Sequence, residues 1–429
     1  MPNALARRPR VSLITLGCKL NQADSEAVAR ELLQHWIDVV DRPAPADAFV
    51  VNTCSVTHVA DRKARHMVRL ARRLAPNAPV ALTGCYVETD PAAARATGAD
   101  LVLGNAAKRE IAAHIVAALA AVAGQRHPPP SRRGLRTRAF VKVQAGCNDV
   151  CAFCIVPKTR GREVSESVAD VVREVLAREA DGVQEVVLTG TQLGAYGRDA
   201  GALQPADVIR AVLAETAVPR IRFSSLQPQD ITPELLALWE DPRLCRHFHL
   251  ALQSGCDRTL AAMRRRYTTT DFRRAVTQIR AFVGDDTAIT TDVIAGFPGE
   301  SDADFAESLA FVEEMRFAGV HVFPYSRRSG TTADKLPGHL PYPVKHARTQ
   351  RLLAAATASQ RAFTERFLGR TMAVLWERAS NAAAPACWDG LTDNYLRVVA
   401  NSARDLRNTI TPARLRAVRD DGVIVGEAI

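Results

Sequence analysis

Short apolar runs alternate with amphipathic stretches along most of the chain. VSLITL (11–16), AFVVNT (48–53), PVALTG (79–84) and DLVLG (100–104) read as strands. SEAVARELLQHW (25–36), DRKARHMVRLARRL (61–74) and KREIAAHIVAALAAV (108–122) carry apolar residues at helical spacing. This alternation predicts an α/β fold with an open, Rossmann-like parallel sheet and helices on both of its faces. It restarts after residue 138. AFVKVQ, QEVVLTG, RIRFSS, HFHLALQ, AITTDVIAG and GVHVFPY then give six strand–helix units, enough for an incomplete (β/α)6 TIM-like barrel. The tail changes period. MAVLWE, YLRVVAN, NTITPARLRAV and GVIVGEAI are short β-rich runs separated by turn residues, which predicts a small β-barrel. The expected organisation is an α/β domain over 1–124, a linker over 125–138, the partial barrel over 139–365 and the β-barrel over 366–429.

The linker and its flank, AGQRHPPPSRRGLRTR (123–138), hold three consecutive prolines, five arginines and no acid. Over the whole chain 56 Lys and Arg face 46 Asp and Glu, a formal net charge of +10. That balance favours a polyanionic partner such as nucleic acid. The candidate contacts are the linker arginines, the arginine run 264–266 and the tail barrel. The tail is only mildly basic, with nine arginines against seven acids, and serves equally well as a structural cap. No apolar run approaches the roughly 20 residues that span a bilayer. The basic N-terminus has no apolar segment behind it before the first strand, so a cytoplasmic protein with no membrane partner is expected. In such a compartment nine cysteines point to metal or buried thiols rather than disulfides.

Cysteine spacing carries the chemistry. AGCNDVCAFCIVPKTRG (145–161) places Cys147, Cys151 and Cys154 as C-x3-C-x2-C in the loop after the first barrel strand. In α/β barrels reactive groups gather at the carboxyl ends of strands. A structural zinc site closes with four ligands. A [4Fe–4S] cluster held by three thiolates keeps one iron open to a further ligand. Phe153 sits where it can pack beside that ligand. Cys18, Cys54 and Cys85 lie far apart in sequence, yet each follows a strand closely: ITLGC, VVNTC, ALTGC. In an open parallel sheet such positions converge beyond the carboxyl edge. The alternative is three unrelated buried thiols, which is the reading for Cys245, Cys256 and Cys387. His247 and His249 read as core or barrel-lining side chains.

These motifs resemble those of the radical S-adenosylmethionine (SAM) methylthiotransferases. The likeness lies in C-x3-C-x2-C with an aromatic before its last cysteine, TLGCKLNQADSE, VVNTCSVTHVADRK and LTGC. It runs on through KTRGREVS, EVVLTGTQLGAYG, RIRFSSLQPQDI, HLALQSGCDRTLAAMRRRYTT and TTDVIAGFPGES, and more loosely into a tail like the family's RNA-binding TRAM domain. The resemblance implies two [4Fe–4S] clusters, one on Cys147, Cys151 and Cys154 with SAM at its open iron, one on Cys18, Cys54 and Cys85. The first would cleave SAM to a 5′-deoxyadenosyl radical that abstracts hydrogen from C2 of an adenine. The second would hold the sulfur, which a second SAM methylates. Thr189, Gly190, Ser224, Ser225, Gln253, Asp292, Gly296 and Tyr325, at successive strand ends, are candidates for the SAM platform. Arg160 and Arg162 are candidates for the SAM carboxylate or an RNA phosphate. GCKLNQ with NTCSVTHVADRK is most similar to the branch that methylthiolates N6-threonylcarbamoyladenosine (t6A) at position 37 of tRNA. The implied partners are a tRNA anticodon loop, an electron donor of flavodoxin or ferredoxin type and a sulfur source. The rival readings are the isopentenyl-adenosine branch, the branch acting on ribosomal protein S12, and a non-catalytic metal-binding RNA-binding protein.

Overall fold

The structure is a computed structural model and describes residues 8–123, 137–201, 203–223, 225–380 and 385–429. Ser224 and the linker, apart from Thr137 and Arg138, lie outside the described residues. The chain divides into two compact units: Met1–Leu135 with Ala145–Asp149 and Cys154–Arg162, and Arg136–Gln144 with Val150–Phe153 and Glu163–Ile429.

The first unit is built on five parallel strands: β1 (Arg10–Thr15), β2 (Asp38–Val40), β3 (Ala48–Thr53), β4 (Val80–Gly84) and β5 (Leu101–Leu103). Their order is β2-β1-β3-β4-β5. β3 is buried along its whole length, as a continuous apolar run in a covered parallel sheet must be. Two helices, α1 (Lys19–Gln34) and α3 (Ile111–Ala123), pack Val28, Leu32, Ile111, Ile115 and Leu119 into the core on one face. On the other face lies α2 (His58–Leu74), through Ala64, Val68 and Ala71. α1 begins at Lys19 rather than Ser25, because Cys18 takes the extended conformation of an N-cap position (φ −87°, ψ 172°). The short edge strand β2 was not foreseen; DVV is too brief to carry a pattern.

The second unit opens with six strands: β6 (Arg138–Lys142), β7 (Glu185–Thr189), β8 (Arg220–Phe223), β9 (His247–His249), β10 (Ala288–Ala295) and β11 (Gly319–Pro324). They form two three-stranded parallel sheets, β8-β7-β6 and β9-β10-β11. Parallel bridges Ile221–Leu244 and Leu226–Leu250 join the two into one curved, open barrel wall. Val141, Leu188, Phe223, Phe248 and Val293 share its core with Val175, Val212, Val276 and Val312 of the surrounding helices. The tail is a closed five-stranded barrel of β12 (Thr371–Ala379), β13 (Ala386–Thr392), β14 (Arg397–Ser402), β15 (Ile410–Val418) and β16 (Ile424–Ala428), in the order β12-β13-β14-β16-β15. β13, ACWDGLT, is the strand absent from the sequence reading, because its glycine and acid mask the alternation.

The two barrels of this unit meet through buried charge. Arg222 pairs with Glu185 at 3.0 and 3.1 Å, with side-chain exposures of 1% and 0%. Its remaining donors reach the carbonyls of Thr392 and Asp393, and its guanidinium stacks on Tyr395 at 4.8 Å. Arg220 donates to the Leu391 and Ala373 carbonyls. Arg138, a linker arginine expected to face RNA, instead pairs with Glu185 and Glu377, so it is part of this contact. Burial opposes the charge of Glu185, but Arg222, aided by Arg138 and Arg220, holds its carboxyl below the ordinary value of 4.5. An acid whose pKa is lowered on folding contributes stability above its unfolded value, and that stability is lost as pH falls through the folded value. Arg222→Met is therefore expected to cost about 3–5 kcal/mol in denaturant unfolding, because it strands a buried carboxylate. Glu185→Gln should lose the part of the acid-induced destabilisation that the parent shows below pH 4.5.

Candidate metal centres

In the first unit the sheet order reverses between β1 and β3, and the crevice beyond that point is where open α/β sheets bind ligands. Cys18 follows β1 and caps α1, Cys54 follows β3, and Cys85 follows β4 and opens the short helix Cys85–Thr89. Two glycines bring these strand ends together. A Cβ on Gly17 (φ +103°) would lie 2.5 Å from Cys54 Cβ and 3.0 Å from its Sγ. A Cβ on Gly84 (φ +103°) would lie 2.3 Å from the Thr53 carbonyl oxygen. Only glycine tolerates both the positive φ and the contact. The same Gly-Cys pair recurs at Gly146–Cys147, where a Cβ would lie 1.8 Å from the Arg162 carbonyl oxygen. The dipeptide alone is no signal for these sets, because it also occurs at Gly255–Cys256, whose thiol is buried in the barrel.

The three thiols share one electrostatic neighbourhood. Burial pushes the Cys54 thiol up to about 11, and the charges of Cys85 and Cys18 add to the rise. Beside them lies a buried polar network. Arg160 donates to Asn21 Oδ1 at 2.5 Å and pairs with Asp24 at 3.4 Å. Lys108 meets the same Asp24 at 2.7 Å. Burial opposes the charge of Arg160, but Cys85, Asp24 and Cys18 hold its guanidinium protonated. Burial pulls the Lys108 ammonium down, with Asp24 opposing. Asn105 donates to the Thr159 carbonyl at 2.6 Å and approaches Cys85 Sγ at 3.9 Å. Arg160, a candidate for SAM or RNA, is engaged in this network beside Cys85. Arg162 is exposed, and its carbonyl packs against Gly146.

The C-x3-C-x2-C loop runs between β6 and the short helix Val156–Arg160. Cys147 Sγ accepts from the Asp149 N–H at 3.4 Å. Cys151 Sγ accepts from Arg265 Nη1 at 3.1 Å. Arg265 belongs to the run 264–266 expected to touch RNA. It turns inward instead, donating also to Tyr267 OH at 2.9 Å, while Arg264 and Arg266 are exposed. Only long-range packing decides which of three adjacent arginines enters the fold, so no local signal reveals it. Phe153 packs on a small apolar cluster of Ala152, Met263, Phe297, Tyr325 and Ala333.

The remaining platform candidates line the carboxyl ends of the barrel strands. Ser225 and Gln253 hold positive φ (83° and 69°), an uncommon state for such residues that concentrates at functional sites. Thr189 is buried at the end of β7. Asp292, in β10, meets His249 Nε2 at 3.2 Å. At Gly190 and Gly296 the close approach is made by the chain itself: a Cβ would strike Leu193 and Gln144 at the first, Lys345 at the second. His247 bonds Thr290 at 2.9 Å and stacks on Tyr395.

Comparison with known proteins agrees with this layout. Residues 10–104 match the uncharacterized protein family UPF0004, and residues 141–312 match the radical SAM superfamily. Threonylcarbamoyladenosine tRNA methylthiotransferase MtaB of Bacillus subtilis (strain 168) is 31% identical over 425 residues, covering 94% of this chain and 93% of that protein. The chain belongs to the radical SAM methylthiotransferase family. The tRNA-2-methylthio-N(6)-dimethylallyladenosine synthase of Thermobifida fusca (strain YX) is 34% identical, covering 92% of this chain and 81% of that protein. Among solved structures, the radical SAM methyltransferase TsrM from Kitasatospora setae superposes with a TM-score of 0.53 at 15% identity, covering 73% of each chain, which is a likeness of fold.

A radical SAM methylthiotransferase carries a [4Fe–4S] cluster and binds SAM. The residues present fit both groups. Among the described residues, Arg265 Nη2 and Tyr325 OH are buried without a hydrogen-bond partner, beside Cys151 and Phe153 respectively. Among the described residues no three His, Cys, Asp or Glu side chains gather tightly enough for a single ion. A four-iron cluster needs no such convergence, because each thiolate meets its own iron. In the first unit two buried cations share one carboxylate next to three thiols, an excess of positive charge suited to an anionic cluster. Gly17→Ala is expected to cost about 2 kcal/mol or more, from positive φ and the clash with Cys54, read as a lowered denaturation midpoint.

Proposed function

We propose that the chain adds a methylthio group to C2 of t6A at position 37 of tRNA. The observation that carries this reading is the pairing of two three-thiol sets: the C-x3-C-x2-C loop, and Cys18, Cys54 and Cys85 at the switch point of the first sheet. A radical SAM enzyme that needs one cluster has no use for the second set. The names of the relatives support the tRNA substrate, and the branch rests on GCKLNQ with NTCSVTHVADRK.

In this reading Cys147, Cys151 and Cys154 hold the first cluster, and Cys18, Cys54 and Cys85 hold the second. When bound, these groups with SAM supply radical hydrogen abstraction from the base and the sulfur that replaces the hydrogen. The chain's own residues bind and orient. Arg265 steadies the Cys151 thiolate with a charge-assisted hydrogen bond. Phe153 and Tyr325 form an apolar wall that carries one buried hydroxyl. Ser225, Gln253 and Asp292 offer polar groups to SAM, and Ser224, Thr189 and Arg162 are further candidates for it. Residues 1–124 then form the sulfur-donating domain, 139–365 the radical domain and 366–429 an RNA-binding barrel. An electron donor of flavodoxin or ferredoxin type and a sulfur source complete the reaction. No helix among the described residues is long and apolar enough to cross a membrane.

The test is an iron and sulfide count on anaerobically reconstituted protein. About eight irons per chain are expected, and about four after Cys147, Cys151 and Cys154 are changed to alanine. About four in the parent and none in the variant would overturn the reading. Mass spectrometry of tRNA nucleosides, with t6A and isopentenyl-adenosine substrates offered together, then selects the branch. Arg265→Met should retain both clusters but shift the midpoint potential of one of them to a more negative value, because hydrogen bonds to cluster sulfur favour the reduced state.

A further inference from the structure

We propose that the outer face of α2 is a docking stripe for the phosphate backbone of the RNA substrate, a surface that rests on the tRNA reading above. Arg62, His66, Arg69 and Arg73 are all exposed and follow one another at i, i+4, i+7 and i+11. At 3.6 residues per turn they form a single line about 16 Å long. That line is diametrically opposite Ala64, Val68 and Ala71, which are 0% exposed in the core. Lys63, also exposed, flanks it.

The helix does not need these charges. Its structural arginines are different ones: Arg65 donates to Tyr86 OH at 3.2 Å, and Arg72 binds the Ala78 and Gly98 carbonyls and Asp100. None of the stripe residues has a hydrogen-bond or ion-pair partner among the described residues. The helix's one acid, Asp61, accepts the Ser55 hydroxyl at 2.6 Å. Like charges at i, i+4 destabilise a helix by about 0.2–0.5 kcal/mol per pair. The helix dipole rewards cations only in the last turn, so it accounts for Arg73 and not for Arg62. A row of guanidinium groups that weakens its own helix fits a polyanion. Guanidinium groups grip phosphate through two parallel hydrogen bonds. A protein interface would be centred on an apolar patch, and the stripe positions carry none.

The experiment compares tRNA binding by the reconstituted full-length parent, Arg62→Gln/Arg69→Gln/Arg73→Gln, and a control of equal charge, Arg210→Gln/Arg274→Gln/Arg361→Gln. The control arginines are exposed on other helices and already paired with acids. Iron content and helicity are checked in all three. The stripe variant is expected to bind tRNA at least about tenfold more weakly at low salt. Its slope of log affinity against log salt should be shallower by about 2, since each phosphate contact contributes about 0.7–0.9. The control should keep the parent slope. If the stripe variant keeps the parent slope while the parent binds tRNA, the stripe proposal falls and the tRNA reading stands. If that variant instead loses only its rate of reduction by a reduced flavodoxin, the stripe docks an acidic protein and the RNA proposal is overturned. If the parent binds no tRNA at any salt, the tRNA reading itself falls.

Discussion

A carboxylate taken wholly out of water sets the terms for the second unit. Glu185 opens β7, and its charge survives burial only because Arg222, two residues into β8, meets it with two hydrogen bonds. Arg222 has donors to spare, and they reach carbonyls in the turn after β13. The pair is thus also the joint between the open barrel and the closed tail barrel, with Arg220, Arg138 and the Arg246–Asp393 pair around it. Buried ions of this kind add little net stability over an apolar packing, but loss of one partner strands the other's charge. They tie the tail barrel to the amino ends of the strands.

Polarity follows from that. In a parallel sheet every strand runs the same way, so closing one end with a domain leaves the other end for chemistry. Three of the non-glycine residues with positive φ lie there: Ser225 and Gln253 after β8 and β9, and Arg264 beside the arginine that meets Cys151. The first unit applies the same rule with its own parallel sheet. Its thiols stand beyond the carboxyl ends of β1, β3 and β4, and glycine before two of them removes the side chain that would hold the loops apart. There strand direction gathers three thiols that sequence separates, whereas Cys147, Cys151 and Cys154 are held close by the spacing of the one loop after β6.

What the sequence disclosed divides along physical lines. Ten of the strands in the two α/β sheets were legible because they are apolar runs between helical stretches; β2 was too short, and β13 in the tail was disguised by Gly390 and Asp389. The cysteines were legible because their spacing and their place after strands are local facts. The groups that surround them were not. Lys108 and Arg160 are 87 and 139 residues from Asn21, and Arg265 is 114 residues from Cys151. A long cationic side chain looks the same in sequence whether it ends in water or beside a thiolate. The sequence reading therefore sent Arg138, Arg160 and Arg265 to RNA or SAM, and all three are engaged inside the fold.

Charge counting fails for the same reason. A net charge of +10 is one number, but its cations do three different jobs here. Some, such as Arg222 and Arg138, neutralise buried acid. Others stand beside thiols: Lys108 and Arg160, which share Asp24 in the first unit, and Arg265, which meets Cys151 in the second. Only those left over can act on a partner, and on α2 they are the residues facing away from the core. Burial, not composition, is what separates the three. Of two arginines on one helix, Arg72 is bound to Asp100 and two carbonyls, and Arg73, one residue on, is free to meet a phosphate.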